Sequence, residues 1–217
     1  DDGGQAPVFR ESPVEPWRIV RTRLRVAGSV PGPVEGGGRA AGYFTGSTGI
    51  TIFRGDADIL SKGTAVIGDV GSNIVHRKSI QRTGLDVIAS RIDPMSELIA
   101  SSDNWFRPVQ FENGPSGCLY ILDMYREVIE HPKSLPAEIK KHLDLTSGKN
   151  LGRIYRFGTP KLKRKYMALS SIPVPRMRER STFLDSSKVL GNHQDTVFLN
   201  NPGKVIFIIH GTKKLLT

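Results

Sequence analysis

The chain has 217 residues, a formal net charge of +10, 38% hydrophobic residues, 23 Gly and 14 Pro. This length is enough for a full hydrophobic core, and the sequence has no run of 18 apolar residues, which excludes a membrane-spanning helix within it. Cys118 is the only cysteine, so the chain forms no internal disulfide and contains no Cys-x-x-Cys-His haem site. Abundant Gly and Pro favour many short strands over long helices.

The excess of basic charge lies in the C-terminal part of the chain. Residues 158–217 carry 11 Lys/Arg and 3 Asp/Glu, whereas the remaining residues carry 20 and 18. A basic tail can bind nucleic acid or anionic lipid, but we favour an extension outside the native fold and do not expect nucleic acid as a partner. A terminal hairpin of 196–199 with 204–209 is the one regular structure predicted there.

In chain order, the first pattern lies at residues 17–27, where apolar and basic side chains alternate and predict a half-exposed strand. Further strands are predicted at 49–54, 64–69, 73–80 and 85–92. The strands 64–69 and 73–80 are separated by a Gly-containing turn, so we expect them to form a hairpin.

The most informative segment is a predicted strand at 106–111, a tight turn at 113–117 and a second strand at 119–124. Its turn contains Gly, which supplies positive φ, and Pro, which fixes φ near −65°. Arg107 opens the first strand and Asp123 closes the second. We therefore expect charged groups at the ends of a sheet.

A different pattern follows at 124–148, which we predict to be a helical insert with helices at 124–130 and 136–143. The second begins with Pro, which suits the first turn of a helix. A last strand is predicted at 152–157. Strands repeating at short spacing between Gly-rich turns predict an all-β fold of radial repeats, part of a β-propeller, with a β-sandwich as the alternative.

Seven segments, in this order, resemble one known family. They are Ser12–Arg21, Gly32–Arg39, Gly42–Gly49, Gly68–Arg77, Asp103–Phe111, Asp123–Pro132 and Gly152–Arg156. The family is the bacterial membrane-bound dehydrogenase group with an N-terminal six-bladed β-propeller, which is similar to the soluble quinoprotein glucose/sorbosone dehydrogenases. The resemblance covers residues 7–157. It implies that residues 1–157 are the last two or so blades and that 158–217 lie outside the family pattern.

The resemblance also implies a cofactor site for pyrroloquinoline quinone (PQQ), accompanied by calcium. The quinoproteins have an Arg, then a strand, then the sequence Gly-Pro-x-Gly-x-Leu-Tyr. That Arg contacts the PQQ carboxylates, and Arg107 stands at the same position in this chain. The guanidinium fork suits this role because it pairs with a carboxylate through two hydrogen bonds. The sequence departs from the pattern elsewhere: the hairpin at 69–73 has no Lys, Phe44 falls near the expected Thr, and the catalytic His lies outside this chain.

Five further residues are candidates to line the propeller channel: Asp69, Asn73, His76, Asp123 and Arg126. The first three could serve a metal or a polar substrate. They could equally cap a turn, a role that we favour for Asp69 and Asn73. Arg107 and Asp123 could form a buried pair that locks the channel edge, and this pair could equally orient a substrate carboxylate. We predict no metal site formed by this chain alone, and we expect His131 to be a loop residue.

Two functions follow from this resemblance. The first is a fragment of an exported, periplasmic or membrane-associated dehydrogenase that oxidises a sugar or alcohol and passes electrons to a cytochrome-type acceptor. The alternative is a non-catalytic propeller that binds carbohydrate or protein and serves as a scaffold for a cytochrome module. In both cases we expect the export signal and the missing blades upstream of this sequence.

Overall fold

The computed structural model describes residues 6–55, 60–114, 117–158, 191–192 and 208–211. Within them, most of the regular structure is antiparallel β-sheet, as predicted, and a few helical segments make up the rest. The predicted strand at 196–199 lies outside the described residues, and of the predicted strand at 204–209 only the last two residues lie within them.

The first sheet is an antiparallel meander followed by one short strand. Its members are β1 (Ser47–Ile52), β2 (Ala65–Asp69), β3 (Ile74–Thr83), β4 (Asp86–Arg91) and β5 (Ile99–Ala100). β1 to β4 are hydrogen-bonded in chain order, and β5 pairs with β3. The four strands predicted between residues 49 and 92 are confirmed, including the hairpin of β2 and β3.

The second sheet begins at the predicted strand–turn–strand segment of residues 106–124. Its members are β6 (Pro108–Asn113), β7 (Leu119–Asp123), β8 (Arg153–Phe157), β9 (Gly191–Asn192) and β10 (Ile208–Gly211), in the order β6-β7-β8-β10-β9. Arg107 directly precedes β6 and Asp123 ends β7, so the predicted position of these two charges at strand ends is confirmed.

The two sheets share one hydrophobic core. The first contributes Val66, Val75 and Ile99 and the second Phe111, Leu119, Ile121, Tyr155 and Phe157, all at most 3% exposed. Along β7 the buried side chains alternate with more exposed ones, as in a half-buried sheet, whereas β2 and the start of β3 are buried on both faces. Hydrophobic burial between the sheets is therefore the main source of stability.

The backbones of the sheets approach closely where β1 and β2 pass the start of β6. A Cβ on Gly68 would lie 2.6 Å from Thr48 Oγ1 and 2.7 Å from the Pro108 carbonyl oxygen. Thr48 and Thr51 donate hydrogen bonds across this contact to the carbonyls of Pro108 and Phe111. Only glycine fits at position 68 without separating the sheets.

Residues 17–27 form a helix, so the predicted strand is wrong. Helix α1 (Pro16–Val26) begins with Pro and ends before Gly28, whose φ of 68° suits a helix C-terminus. Its buried face includes Trp17, Arg18 and Arg21, which are spaced as one side of a helix. The alternation of apolar and basic residues led to the wrong prediction because basic side chains were assumed to be exposed. Two of them, Arg18 and Arg21, are buried, and their burial depends on partners elsewhere in the chain.

The predicted helix at 124–130 is also wrong. Tyr125 has φ of 50°, and the carbonyls of Arg126 and Glu127 accept hydrogen bonds from the Arg107 side chain, 2.8 and 2.6 Å from its nitrogens. These tertiary bonds replace the helical ones. The second predicted helix is confirmed but short, as α2 (Ala137–Lys140), and follows a 3₁₀ turn at Pro132–Ser134. Around α2 a second cluster packs against α1: Trp17, Val128, Leu135 and Ile139.

Candidate functional site

Arg107 lies at the junction of both sheets and α1, with its side chain fully buried. Its Nη2 donates to Glu15 Oε1 at 3.0 Å and to the Glu127 carbonyl at 2.6 Å. Nη1 donates to the Val70 carbonyl at 2.7 Å and Nε to the Arg126 carbonyl at 2.8 Å. All three guanidinium nitrogens thus donate to protein oxygens.

Glu15, immediately before α1, is the carboxylate that balances this cation. It also contacts Arg18, whose Nε lies 3.2 Å from Glu15 Oε2, and Arg18 in turn binds Glu130 at 3.1 Å. We call Glu15, Arg18 and Arg107 the clamp. It joins α1 to the sheets through side chains that are at most 5% exposed.

Burial and ion pairing shift the pKa values of the clamp residues in opposite directions. Burial alone would raise the pKa of Glu15, but the charges of Arg18 and Arg107 outweigh it and hold that pKa below its ordinary value. Burial lowers the pKa of Arg107, which Glu15 offsets only in part. Arg107 stays charged because an arginine pKa is far above neutrality.

The predicted ion pair between the Arg107 guanidinium and Asp123 is not formed. The Asp123 carboxylate instead accepts backbone N–H bonds from Arg107 at 2.7 Å and Tyr125 at 2.8 Å, and the Tyr155 hydroxyl at 3.2 Å. Burial raises the pKa of Asp123, although the two backbone N–H groups oppose this. Sequence reasoning missed the true partner because Glu15 is 92 residues from Arg107 in the chain.

Asp69 caps a turn in the structure, the role favoured from the sequence, whereas the Asn73 side chain bonds to residues that are distant in the chain. The Asp69 carboxylate accepts bonds from the N–H groups of Thr45, Gly46 and Gly71 at 2.9–3.0 Å. Asn73 has φ of 58°, donates to the Phe106 carbonyl at 2.6 Å and accepts the Ser12 hydroxyl at 2.6 Å. Both side chains are fully buried.

His76 lies on β3, on the other face of that strand from the shared core. Its Nδ1 is 2.6 Å from Glu97 Oε2, and its ring meets that of Phe44 edge-on at 5.3 Å. Glu97 also accepts the Phe9 N–H at 3.1 Å and pairs with Arg91 at 3.2 Å. This cluster ties the N-terminal segment to the first sheet, and the structure does not bring His76 together with Asp69 or Asn73 in one site.

The remaining predicted residues are nearer the surface. Arg126 donates to the Thr146 carbonyl at 2.9 Å, and its own carbonyl serves Arg107. His131 is exposed, and its Nδ1 accepts the Lys133 N–H at 3.1 Å at the start of the 3₁₀ turn. The expectation that His131 is a loop residue is confirmed.

A group of planar side chains beside the clamp was not predicted as a site. The rings of Trp105 and Tyr125 lie 5.3 Å apart, and the Arg153 guanidinium carbon lies 3.3 Å from the Tyr125 ring centroid. We call these three residues the aromatic stack. Nothing local in the sequence indicates that Tyr125 adopts positive φ and that its ring lies against Trp105.

The aromatic stack has a polar rim. Asp103 is 44% exposed, and its carboxylate lies 3.5 Å from Arg153 Nη2 and accepts the Trp105 N–H at 2.8 Å. Trp105, Asn104 and Tyr125 are all half-buried. An aromatic face beside a carboxylate, an amide and a guanidinium can hold a ligand that is apolar on one side and carries hydroxyl groups on its edge.

The described residues form neither a cluster of metal ligands nor a membrane-spanning helix. No three His, Cys, Asp or Glu side chains converge there as a metal site would require. Within the same residues, no helix has both the length and the apolar character needed to cross a membrane.

Comparisons with known proteins place the chain in a family. No curated protein and no solved structure matches it. Residues 5–161 match the family described as "Domain of unknown function (DUF7133)", a span that takes in helix α1, both sheets as far as β8, the clamp and the aromatic stack. Because this match covers well over half of the chain, the protein belongs to the DUF7133 family.

Proposed function

We propose that the chain is a non-catalytic, carbohydrate-binding part of a propeller, with the aromatic stack as the binding surface. The observation that carries this proposal is the half-buried Trp105 ring, which lies against Tyr125 and beside the exposed Asp103 carboxylate. Sugar rings present C–H groups on their faces and hydroxyls on their edges. The C–H groups pack on an aromatic ring, and the hydroxyls form hydrogen bonds with carboxylate, amide and guanidinium groups.

The state of Arg107 supports a non-catalytic role. A PQQ carboxylate would need two guanidinium N–H groups directed toward it. In the described residues those groups are directed at Glu15 and at the carbonyls of Val70, Arg126 and Glu127. Arg107 as placed does not fit the cofactor, since binding would have to break several buried hydrogen bonds.

The test is binding of soluble xylo-, cello- and malto-oligosaccharides to the full chain by titration calorimetry. We expect at least one class to bind. Trp105→Ala should then weaken binding by about tenfold or more, because truncation of an aromatic anchor costs on the order of 1–2 kcal/mol.

The matched control is Tyr120→Ala, which removes another half-buried aromatic ring from the second sheet, away from the aromatic stack. This variant should keep wild-type affinity, and thermal denaturation should show that both variants are folded. Absence of binding by the wild type, or equal affinity of wild type and Trp105→Ala, would contradict the proposal.

A second candidate is the exported sugar or alcohol dehydrogenase with PQQ and calcium. The observation that favours it is the series of seven motifs, which lies within the residues matched by the family. Its electron acceptor would be of cytochrome type, its location periplasmic or membrane-associated, and its remaining blades would come from elsewhere in a longer protein. Asp69, Asn73, His76, Asp123 and Arg126 would then lie near the channel.

PQQ titration separates the two candidates. If the chain contributes Arg107 to a cofactor site, wild-type protein with Ca²⁺ should quench PQQ fluorescence saturably and Arg107→Ala should abolish the effect. The control Arg126→Ala removes a nearby, more exposed guanidinium. On the carbohydrate proposal, none of the three proteins binds PQQ.

A further inference from the structure

Positive charge exceeds negative charge in the buried cluster around the clamp. Four arginines have side chains at most 9% exposed: Arg10, Arg18, Arg21 and Arg107. Among the described residues, Glu15 and Glu130 form ion pairs with these arginines. Asp123, on the far side of Arg107, directs its carboxylate to backbone N–H groups and Tyr155. Buried charges are normally paired, and even with the Asp123 charge included, the described residues supply fewer carboxylates than guanidinium groups to this cluster.

Two of these arginines meet at one oxygen. Arg10 Nη2 lies 3.7 Å and Arg18 Nε 3.2 Å from Glu15 Oε2. One carboxylate oxygen thus lies between two guanidinium groups, while the other oxygen of Glu15 binds Arg107. Burial lowers the pKa of Arg10 most, the charge of Glu15 opposes this, and repulsion from Arg18 and Arg107 lowers the pKa further.

Each of the two arginines also has a buried nitrogen with no protein acceptor. Among the described residues, Arg10 Nη1 and Arg18 Nη2 have no hydrogen-bond partner. Arg18 stacks on the Trp17 ring at 4.8 Å, which supports the cation but supplies no anionic acceptor. Water could accept these hydrogen bonds, but only an anion would also balance the charge.

We infer that the cluster binds one small oxyanion, of the sulfate or phosphate class, between Arg10 and Arg18. Guanidinium groups suit oxyanions because each offers several N–H donors in a plane. The donors lie inside the chain, so the ligand is a small free ion and not the end of a larger molecule. It would join the segment before α1 to the helix and complete the clamp.

The test compares sodium sulfate with sodium chloride at equal ionic strength, on the full chain. Sulfate should raise the Tm of the wild type saturably, as expected for an ion that binds only the folded state. Sulfate also stabilises proteins in general by exclusion from their surface, an effect that rises without saturation. Titration calorimetry at low millimolar sulfate should give a one-to-one isotherm.

Two charge-matched variants identify the site. Arg10→Gln should lose the saturable part of the Tm rise and the calorimetric isotherm. Arg23→Gln removes an exposed arginine of helix α1 and should keep both. Equal behaviour of wild type and Arg10→Gln, or no heat of binding to the wild type, would overturn the inference. The wild-type isotherm decides the matter even if Arg10→Gln fails to fold.

Discussion

The clamp and the aromatic stack are neighbours, and each has an arginine near a carboxylate: Arg107 near Glu15 in the clamp, and Arg153 near Asp103 on the polar rim of the stack. They differ in how far these groups are buried and in what their donors contact. Arg107 of the clamp is fully buried, and each of its guanidinium nitrogens donates to the protein. The stack has half-buried rings, and its Asp103 carboxylate is 44% exposed. The difference teaches that a charged residue at a strand end identifies a binding site only when its polar groups remain available.

The largest expected effect is the loss of the Arg107 guanidinium. Arg107→Leu should lower the free energy of unfolding by about 3–5 kcal/mol, because it removes the shared donor of the buried Glu15 carboxylate, of the buried Val70 carbonyl and of two partly buried carbonyls. Urea denaturation measures the change. Arg126→Ala, which removes one exposed hydrogen bond, should cost at most about 0.5 kcal/mol. Similar losses of unfolding free energy for both variants would show that Arg107 stabilises the fold no more than an exposed arginine does.

Neutralisation of Glu15 should change the free energy of unfolding by an amount that depends on pH, which tests the charge of the clamp directly. Glu15→Gln should cost about 2–3 kcal/mol at pH 7, since it leaves buried guanidinium charge uncompensated. The folded-state pKa of Glu15 lies below its value of about 4.3 in an unfolded chain, so its stabilising contribution is complete above that pH and is lost as pH falls through the folded-state pKa.

The measurement is urea denaturation of wild type and Glu15→Gln between pH 3 and pH 7. The difference in free energy between them should be constant near neutrality and shrink below about pH 4. Asp123 acts in the opposite sense, because burial raises its pKa and its protonation favours the folded state as pH falls. It is unchanged in both proteins and cancels from the difference. A difference that grows in acid would contradict the assignment.

A smaller effect is expected where the two regions join. Tyr155→Phe removes the hydroxyl that donates to Asp123 at 3.2 Å but keeps the ring in the core. The expected loss is about 1 kcal/mol, typical of one buried hydrogen bond. Thermal denaturation measures it, and a loss as large as that of Arg107→Leu would show that Asp123, and not Glu15, holds the clamp.

The smallest effect on stability is expected in the aromatic stack. Trp105→Ala should lower the free energy of unfolding by at most about 1 kcal/mol, since the ring is only half-buried and its contact with Tyr125 is worth about that much. The same variant should produce the largest loss of oligosaccharide affinity. Large losses of both would mean that the stack is part of the core.

Much of the sheet structure could be predicted from the sequence, because short apolar runs between Gly- and Pro-rich turns determine strands locally. Helix α1 could not, since its buried face contains Arg18 and Arg21, whose burial depends on Glu130, more than 100 residues away. For the same reason Arg107 and Asp123 were located correctly at strand ends but given the wrong partner. The aromatic stack depends on the positive φ of Tyr125, which Asp123 and Trp105 stabilise through backbone hydrogen bonds that no local pattern indicates.

The most direct measurement is an NMR titration of the full chain, once with oligosaccharide and once with PQQ and Ca²⁺, that follows the Arg107 Nε–H and the indole N–H groups of Trp105 and Trp17. We predict that oligosaccharide shifts the Trp105 resonance, that PQQ shifts none, and that Arg107 Nε–H exchanges slowly throughout. Trp17, buried in the second cluster, is the internal reference. A shift of Arg107 on addition of PQQ, with Trp105 unmoved by any sugar, would contradict the account.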